Sequence, residues 1–413
     1  MAPGFLDSGE LYAPGFLDSL AYIFIFLWFL LIVLQLVSIF GGKFLLYNFT
    51  PCANDQELPG VSILKPLAGD ELNLAKNLQT FFELSYPKFE ILFCVEDELD
   101  SAAGIVRQLI RNYPLVNAKL FTEARTVGVN PKINNMNQGY KAARYDYLWI
   151  CDSGIMVHPN TLREMVSHMS SGVGMVHQIP FIVCASSASF AACVDKVYFG
   201  TQHAFLYLFA NTMGLLCANG MSTIYNKKVL DELGGLEAFS CYIAEDYFIS
   251  KAIYNKGHRI AFSSEPAMQN PSKQSLAQFQ GRMLRWTRLR LTMEPLLAAF
   301  EPFTECLMIG VLASWAVWQL WAFSIVLFFI KHLLLWFLLD FILLRIVQGS
   351  NGPLPPLWKL FLAWLFRELF SIVFFLQAAC GRHIEWRTTH FKLLLGGKAE
   401  LIDKCQNADT HCC

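Results

Sequence analysis

The chain has 413 residues, 54% of them hydrophobic, and a formal net charge of −1. So large an apolar share at this length excludes a purely water-soluble protein, and the near-zero charge excludes a nucleic-acid binder working through bulk positive charge. The 12 cysteines are scattered with no Cys-x-x-Cys pair, which argues against a zinc site or a disulfide framework and for a reducing, cytosolic setting.

At the start, Ala2-Pro3-Gly4-Phe5-Leu6-Asp7-Ser8 recurs as Ala13-Pro14-Gly15-Phe16-Leu17-Asp18-Ser19, a local duplication too short to build a repeat fold. Residues 1–19 read as a lumenal tail. Residues 20–40 are apolar throughout and long enough to span a bilayer, and the absence of a basic segment before them predicts a retained anchor. Asp7, Glu10 and Asp18 precede the anchor and Lys43 follows it, so the positive-inside rule places the next domain in the cytosol.

After a linker over 44–58, strand and helix patterns alternate. Strands are predicted at 61–64, 91–95, 119–121 and 147–151, and helices over 72–84, over 101–112 and from Pro131. This alternation predicts an α/β domain over 59–272 with a Rossmann-like, mostly parallel sheet. Ligands of such sheets sit beyond the carboxyl ends of the strands, which is where Asp97 and Asp152 fall. A strand over 173–180 follows. The apolar, aromatic helix pattern over 190–211 carries Asp195, Lys196 and His203, so it reads as a core or interfacial helix and not as a span. A strand begins at 219–222, a helix carrying Glu245 and Asp246 starts at Ala244, and Arg259–Phe262 is a further strand.

Residues 273–295 predict an amphipathic helix at the membrane surface. Arg282, Arg285 and Arg288 share one face, Leu276, Phe279, Met283 and Leu284 supply an apolar side, and Trp286 suits the lipid–water boundary. The basic face reads either as arginines snorkelling to lipid phosphates or as a clamp on a diphosphate. Residues 303–380 are the membrane part, with spans over 303–320 and 321–347 and a third over 357–380 despite Arg367 and Glu368. Three spans put the 381–413 tail in the lumen, whereas Arg382, Arg387, Lys392, Lys398 and Lys404 favour the cytosol; a segment that is re-entrant or lies flat reconciles the two. Cys412-Cys413 is weak ground for a lipid anchor.

Arg282-x-x-Arg285-Trp286, after an acidic pair that contains Asp246, is similar to the (Q/R)xxRW signature of membrane-bound family-2 nucleotide-sugar glycosyltransferases. Phe81-Phe82-Glu83-Leu84, Pro131-Lys132-Ile133-Asn134-Asn135, Ile150-Cys151-Asp152-Ser153-Gly154 and Tyr242-Ile243-Ala244-Glu245-Asp246-Tyr247-Phe248 resemble the ceramide glucosyltransferases within that class, from about Pro59 to the last apolar segment. The resemblance implies a GT-A fold and an inverting transfer of glucose from UDP-glucose to ceramide, with a divalent cation (Mg2+ or Mn2+), on the cytosolic face of the Golgi membrane. It implies Asp97 beside the nucleotide, Asp152 as the metal contact, and Arg282, Arg285 and Trp286 as the diphosphate- and acceptor-side motif. His203 matches a histidine of the same class. Asp152-Ser153-Gly154 departs from the Asp-x-Asp of the wider fold by lacking the second carboxylate.

Asp246 is the candidate general base, and its place at a helix start is expected to hold its pKa down. Lys132, just inside a helix start, either reaches donor phosphates or is a routine surface lysine. The implied partners are ceramide, UDP-glucose and the bilayer; a homo-oligomer stays open. A polysaccharide or dolichyl-phosphate sugar synthase and a catalytically inactive membrane scaffold are the rival readings.

Overall fold

A computed structural model describes residues 15–48, 58–69, 72–184, 187–271, 274–386 and 389–402. The first copy of the N-terminal duplication, most of the 44–58 linker, Arg387, Lys404 and the Cys412-Cys413 pair lie outside the described residues. The predicted anchor is α1 (Phe16–Leu45), longer at both ends than the apolar run that announced it.

The α/β domain follows in the expected alternation: β1 (Val61–Pro66), α2 (Leu74–Phe82), β2 (Phe89–Cys94), α3 (Ser101–Asn112), β3 (Ala118–Phe121), α4 (Pro131–Ala142) and β4 (Tyr147–Cys151). A short β5 (Ile155–Met156) and α5 (Thr161–Ser167) come next. The single strand expected over 173–180 is two strands, β6 (Val173–His177) and β7 (Pro180–Ile182), which enter different sheets. Later come α6 (Phe190–Tyr198), α7 (Ala204–Thr212), β8 (Ser222–Asn226), α8 (Lys227–Glu232), α9 (Glu245–Asn255), β9 (Arg259–Phe262) and β10 (Ala267–Gln269).

The main sheet has seven strands in the order β3-β2-β1-β4-β8-β6-β9. β3, β2, β1 and β4 pair in parallel, β8 runs antiparallel to both β4 and β6, and β9 is parallel to β6. Side chains alternate across it as the pleat requires. Val61 and Ile63 pack with Phe81 and Val106 on one face; Leu64 and Leu92 pack with Ile133, Leu230 and Ile253 on the other. Covering both faces with helices leaves the carboxyl ends of β1, β2 and β4 as the open edge for a ligand.

Between α6 and α7 the helix expected over 190–211 breaks into a π-helical turn, Phe199–His203. Such turns are commonly found at functional sites. The basic-aromatic helix is α10 (Leu276–Met293), begun by Ser275, which accepts from Gln278 N while the Gln278 side chain returns to the Ser275 backbone. Its Phe279 and Met283 are buried in a cluster with Val197, Tyr198 and Phe374, so its apolar side faces protein where lipid was expected.

Beyond it lie α11 (Pro295–Ala299), a 3₁₀ turn at Glu301–Thr304, α12 (Cys306–Trp321), α13 (Ile325–Gln348) and α14 (Leu357–Ala379). Among the described residues, α1, α13 and α14 are long and apolar enough to cross a bilayer, and α12 is a shorter apolar helix. One end of α14 meets the α/β domain and the other meets α10. Lys359 at its start donates to the Ala188 carbonyl, and Gln377 at its end accepts from Gln280 at 3.0 Å.

The tail, for which the sequence suggested no structure, forms β11 (His383–Trp386), β12 (Thr389–Leu393) and β13 (Ala399–Leu401). This small sheet is bound to the domain. Ala399 N donates to Cys241 O at 3.1 Å, Gly396 N donates to Thr292 O at 2.9 Å, and Tyr242 bridges to Lys398. The tail and the α/β domain therefore share one side of the membrane helices.

Candidate active site

The sheet's open edge gathers charge around one lysine. Lys132 Nζ lies 2.9 Å from Asp152 Oδ1 and 3.3 Å from Glu245 Oε1, and donates to the Gly220 carbonyl at 3.2 Å. Burial alone would push its ammonium down, but the carboxylates of Asp152, Glu245 and Asp246 outweigh that and hold its pKa up. Lys132 is thus neither a free surface lysine nor unengaged.

Asn130 ties the two helix starts together. Its Oδ1 accepts from Lys132 N and Ile133 N at 2.8 and 3.1 Å and so caps α4. Its Nδ2 donates to Tyr242 O and Glu245 Oε2, each at 2.8 Å, just before and at the start of α9. Sequence reasoning missed Asn130, although Asn before Pro131 is the signature of a capped helix with proline in its first turn. It also missed Lys65, wholly buried at the end of β1. Its Nζ donates to Asp152 O at 2.6 Å and lies 3.9 Å from the Phe81 ring centroid, which fixes the backbone that presents Asp152.

Asp246 stands beside this cluster, half-buried. Its Oδ1 accepts from Tyr247 N at 2.9 Å, and the Gly220 N–H supports it as well. Its pKa is raised, chiefly by burial, with Lys132 pulling the other way. This reverses the expectation that a helix-start position holds it down: desolvation outweighs the backbone N–H groups. The Glu245 carboxyl is also pushed up by burial, again against Lys132. Asp97 is exposed on the loop after β2 and accepts from Leu99 N at 2.9 Å. It shares the sheet edge with Asp152 but makes no contact with the lysine cluster.

A Cβ on Gly220 would come 2.7 Å from Asp246 Cβ and 3.0 Å from its Oδ2. Gly220→Ala must displace the carboxylate, and where a candidate base is moved by about 1 Å the expected cost is on the order of 10²-fold in rate. Steady-state kinetics should show that loss in kcat with the donor KM unchanged; an unaltered kcat would mean the Asp246 position does not matter.

The arginines of α10 are used separately. Arg282 pairs with the buried Asp195, and its guanidinium sits 5.6 and 5.7 Å from the rings of Phe199 and Trp286. Arg288 donates to the His383 carbonyl at 2.6 Å. Arg285 is half-buried with no carboxylate partner among the described residues, and burial lowers its pKa. Trp286, expected at the lipid boundary, is instead packed inward, 6.1 Å from Tyr198 and 6.4 Å from His203. His203 stacks on Tyr207 at 4.3 Å. Burial, then the charges of Arg290 and His177, push its pKa down to about 3, so the ring is neutral at physiological pH, and its Nδ1 has no hydrogen-bond partner among the described residues.

For a divalent ion the donor set is sparse. Among the described residues no three His, Cys, Asp or Glu side chains converge on one point. Asp152, about 40% exposed, is one carboxylate at the sheet's open edge, sharing Lys132 with Glu245. That fits a hard cation that brings its own oxygens, as Mg2+ does by keeping waters and donor phosphates.

The sequence profile of glycosyl transferase family 21 matches residues 30–399. Ceramide glucosyltransferase 1 of Caenorhabditis elegans is 38% identical over 401 residues, which is 96% of this chain and 85% of that relative. Ceramide glucosyltransferase 3 of the same organism is 37% identical over 91% of this chain and 81% of its own length. Among solved structures, the mannosyltransferase PcManGT of Pyrobaculum calidifontis, in complex with GDP-Man and Mn2+, superposes with a TM-score of 0.51 at 15% identity, covering 88% of this chain and 99% of that one. That likeness establishes the GT-A-type fold.

Proposed function

Because the chain belongs to glycosyl transferase family 21, we propose that it moves glucose from UDP-glucose to the primary hydroxyl of ceramide, with inversion, to give glucosylceramide. The observation that carries the reading is the sheet edge where Asp152, Glu245 and Asp246 meet around Lys132, beside an arginine-bearing helix. We assign Asp246 as general base. Glu245 is buried and committed to Asn130 and Lys132, whereas Asp246 is partly accessible and its pKa, raised by burial, makes it a stronger base than an ordinary aspartate.

Asp152 would hold a divalent ion together with the donor's phosphates, and that ion would neutralise the leaving diphosphate. Arg285, lacking a carboxylate, and Lys132 are the cations assigned to the diphosphate. Arg282 orients Trp286 and Phe199, and Asp97 lies toward the nucleotide. The neutral His203, stacked on Tyr207, shapes the acceptor side.

The membrane arrangement follows from the same reading. α1 crosses once, α12 and α13 go out and return, and α14 lies along the interface, since one end binds the α/β domain and the other binds the interfacial helix α10. Arg382, Lys392 and Lys398 then lie on the cytosolic side with the catalytic domain, as the positive-inside rule asks, and the membrane is that of the Golgi.

The test is a membrane preparation given labelled UDP-glucose and ceramide, with and without a chelator. Monoglucosylated ceramide is expected, and its loss on chelation supports the cation. Polymer or a dolichyl-linked sugar in its place sinks the reading.

The base assignment also fixes a pH dependence. A carboxylate base must be ionised, and its raised pKa means activity falls on acidification above the ordinary aspartate value. Lys132→Met removes the charge that opposes the shift, so the acid limb of kcat/KM should move to higher pH. A limb that stays in place would detach Asp246 from the rate.

A further inference from the structure

A second site lies away from the lysine cluster, where α6, α10, the Glu301–Thr304 turn and α14 enclose a cavity of about 60 Å³. Phe279 and Phe374 supply apolar wall, and Gln202, Arg290, Glu301 and Glu305 a polar floor. Arg290 grips Glu301 through two bonds, at 2.5 and 2.9 Å, and Gln202 donates to Glu305. Charged groups this close to membrane helices are costly unless used, and a cavity in which polar side chains converge beside an apolar wall suits the head of a small amphipathic molecule.

The two ends of the cavity point to its occupant. At the rim, Pro302, Ile372 and Phe375 are only partly covered, and beside them Phe300 and Leu376 are 65% and 59% exposed. An apolar rim of this kind faces lipid. At the inner end, Tyr198 lies 5.9 Å from His203, which stacks on Tyr207. The Tyr207 hydroxyl donates to Ala218 O, two residues before the Gly220 that abuts Asp246. An aromatic wall therefore runs from the lipid-facing cavity to the carboxylate.

We propose that this cavity is the acceptor's way in from the bilayer. It takes a lipid whose chains leave over Ile372 and Phe375, whose amide and hydroxyl head meets the Arg290–Glu301 and Gln202–Glu305 pairs, and whose reacting hydroxyl is presented along Tyr198, His203 and Tyr207. The cavity is too small for whole chains, so only the head and chain roots enter. This inference rests on the transferase reading and adds the lipid's location.

The test uses the full chain in nanodiscs with a photoactivatable ceramide, beside Ile372→Trp and Phe375→Trp, which fill the rim, and Leu334→Trp on the exposed face of α13 as control. The parent should crosslink at the Glu301–Thr304 turn and around Ile372–Phe375. The two rim variants should lose that label and raise the acceptor KM about tenfold or more, the size of a misfit in an apolar pocket, with donor KM and acceptor-free donor hydrolysis unchanged. Labelling confined to α1, α12 and α13, or rim variants with parental labelling and acceptor KM, overturns the proposal. Rim labelling without glucosylation in the parent upholds the lipid site and sinks the transferase reading instead.

Discussion

Asp246→Asn should lower kcat by about 10²–10⁴-fold, the share usually carried by a positioned general base, while the donor KM stays close to that of the parent. The substitution keeps the shape of the side chain and an oxygen for the N–H groups of Gly220 and Tyr247, so the fold around α9 should survive. What it removes is the capacity to take the acceptor's proton. Monoglucosylated ceramide formed by the purified variant is the readout. Substantial remaining turnover would move the base to Glu245, the other acid of the pair, which already lies 3.3 Å from Lys132. Its buried position would then have to open during turnover.

Arg367→Met should destabilise the protein by about 3–5 kcal/mol, the usual cost of leaving a buried charge without its partner. Arg367 is 4% exposed. It pairs with Asp340 at 3.3 Å and with Glu368, and donates to Thr201 at 2.6 Å. Asp340 also accepts from Gln35 at 2.7 Å and from Trp364 at 2.8 Å. One network thus joins α1, α13, α14 and the π-helical turn. Removing the guanidinium leaves two buried carboxylates without their cation. Thermal unfolding in mild detergent should show the loss, and adding Asp340→Asn and Glu368→Gln should recover much of it. A single variant as stable as the parent would mean the pair is dispensable. Because Thr201 lies in the turn that carries His203, activity should fall with stability.

Much of this was legible beforehand because it depends on local pattern. Short β-rich runs and the helix patterns between them predict β1, β2, β3 and β4 in order, and α3 falls on the predicted residues. The chemistry that needs charge at strand ends and helix starts brought out Asp97, Asp152, Lys132 and Asp246 from neighbours in sequence. What could not be read there depends on pairs far apart in the chain. Asn130 acts on Glu245, Lys65 on Asp152 and Gly220 on Asp246 only because the sheet and the helices packed on it bring these separate segments together.

The direction of the Asp246 shift shows the same division. The helix start is written in the sequence and favours the charged form, but burial, which overrides it, belongs to the fold. The apolar side of α10 was correctly found and its partner was not, since hydropathy does not distinguish α6 and α14 from lipid. Membrane character, the α/β alternation and the candidate site residues are properties of the sequence itself. The pairing of those residues, the π-helical turn and the side on which the tail lies were decided by tertiary contacts, because each needs two distant segments to be adjacent before its energy exists.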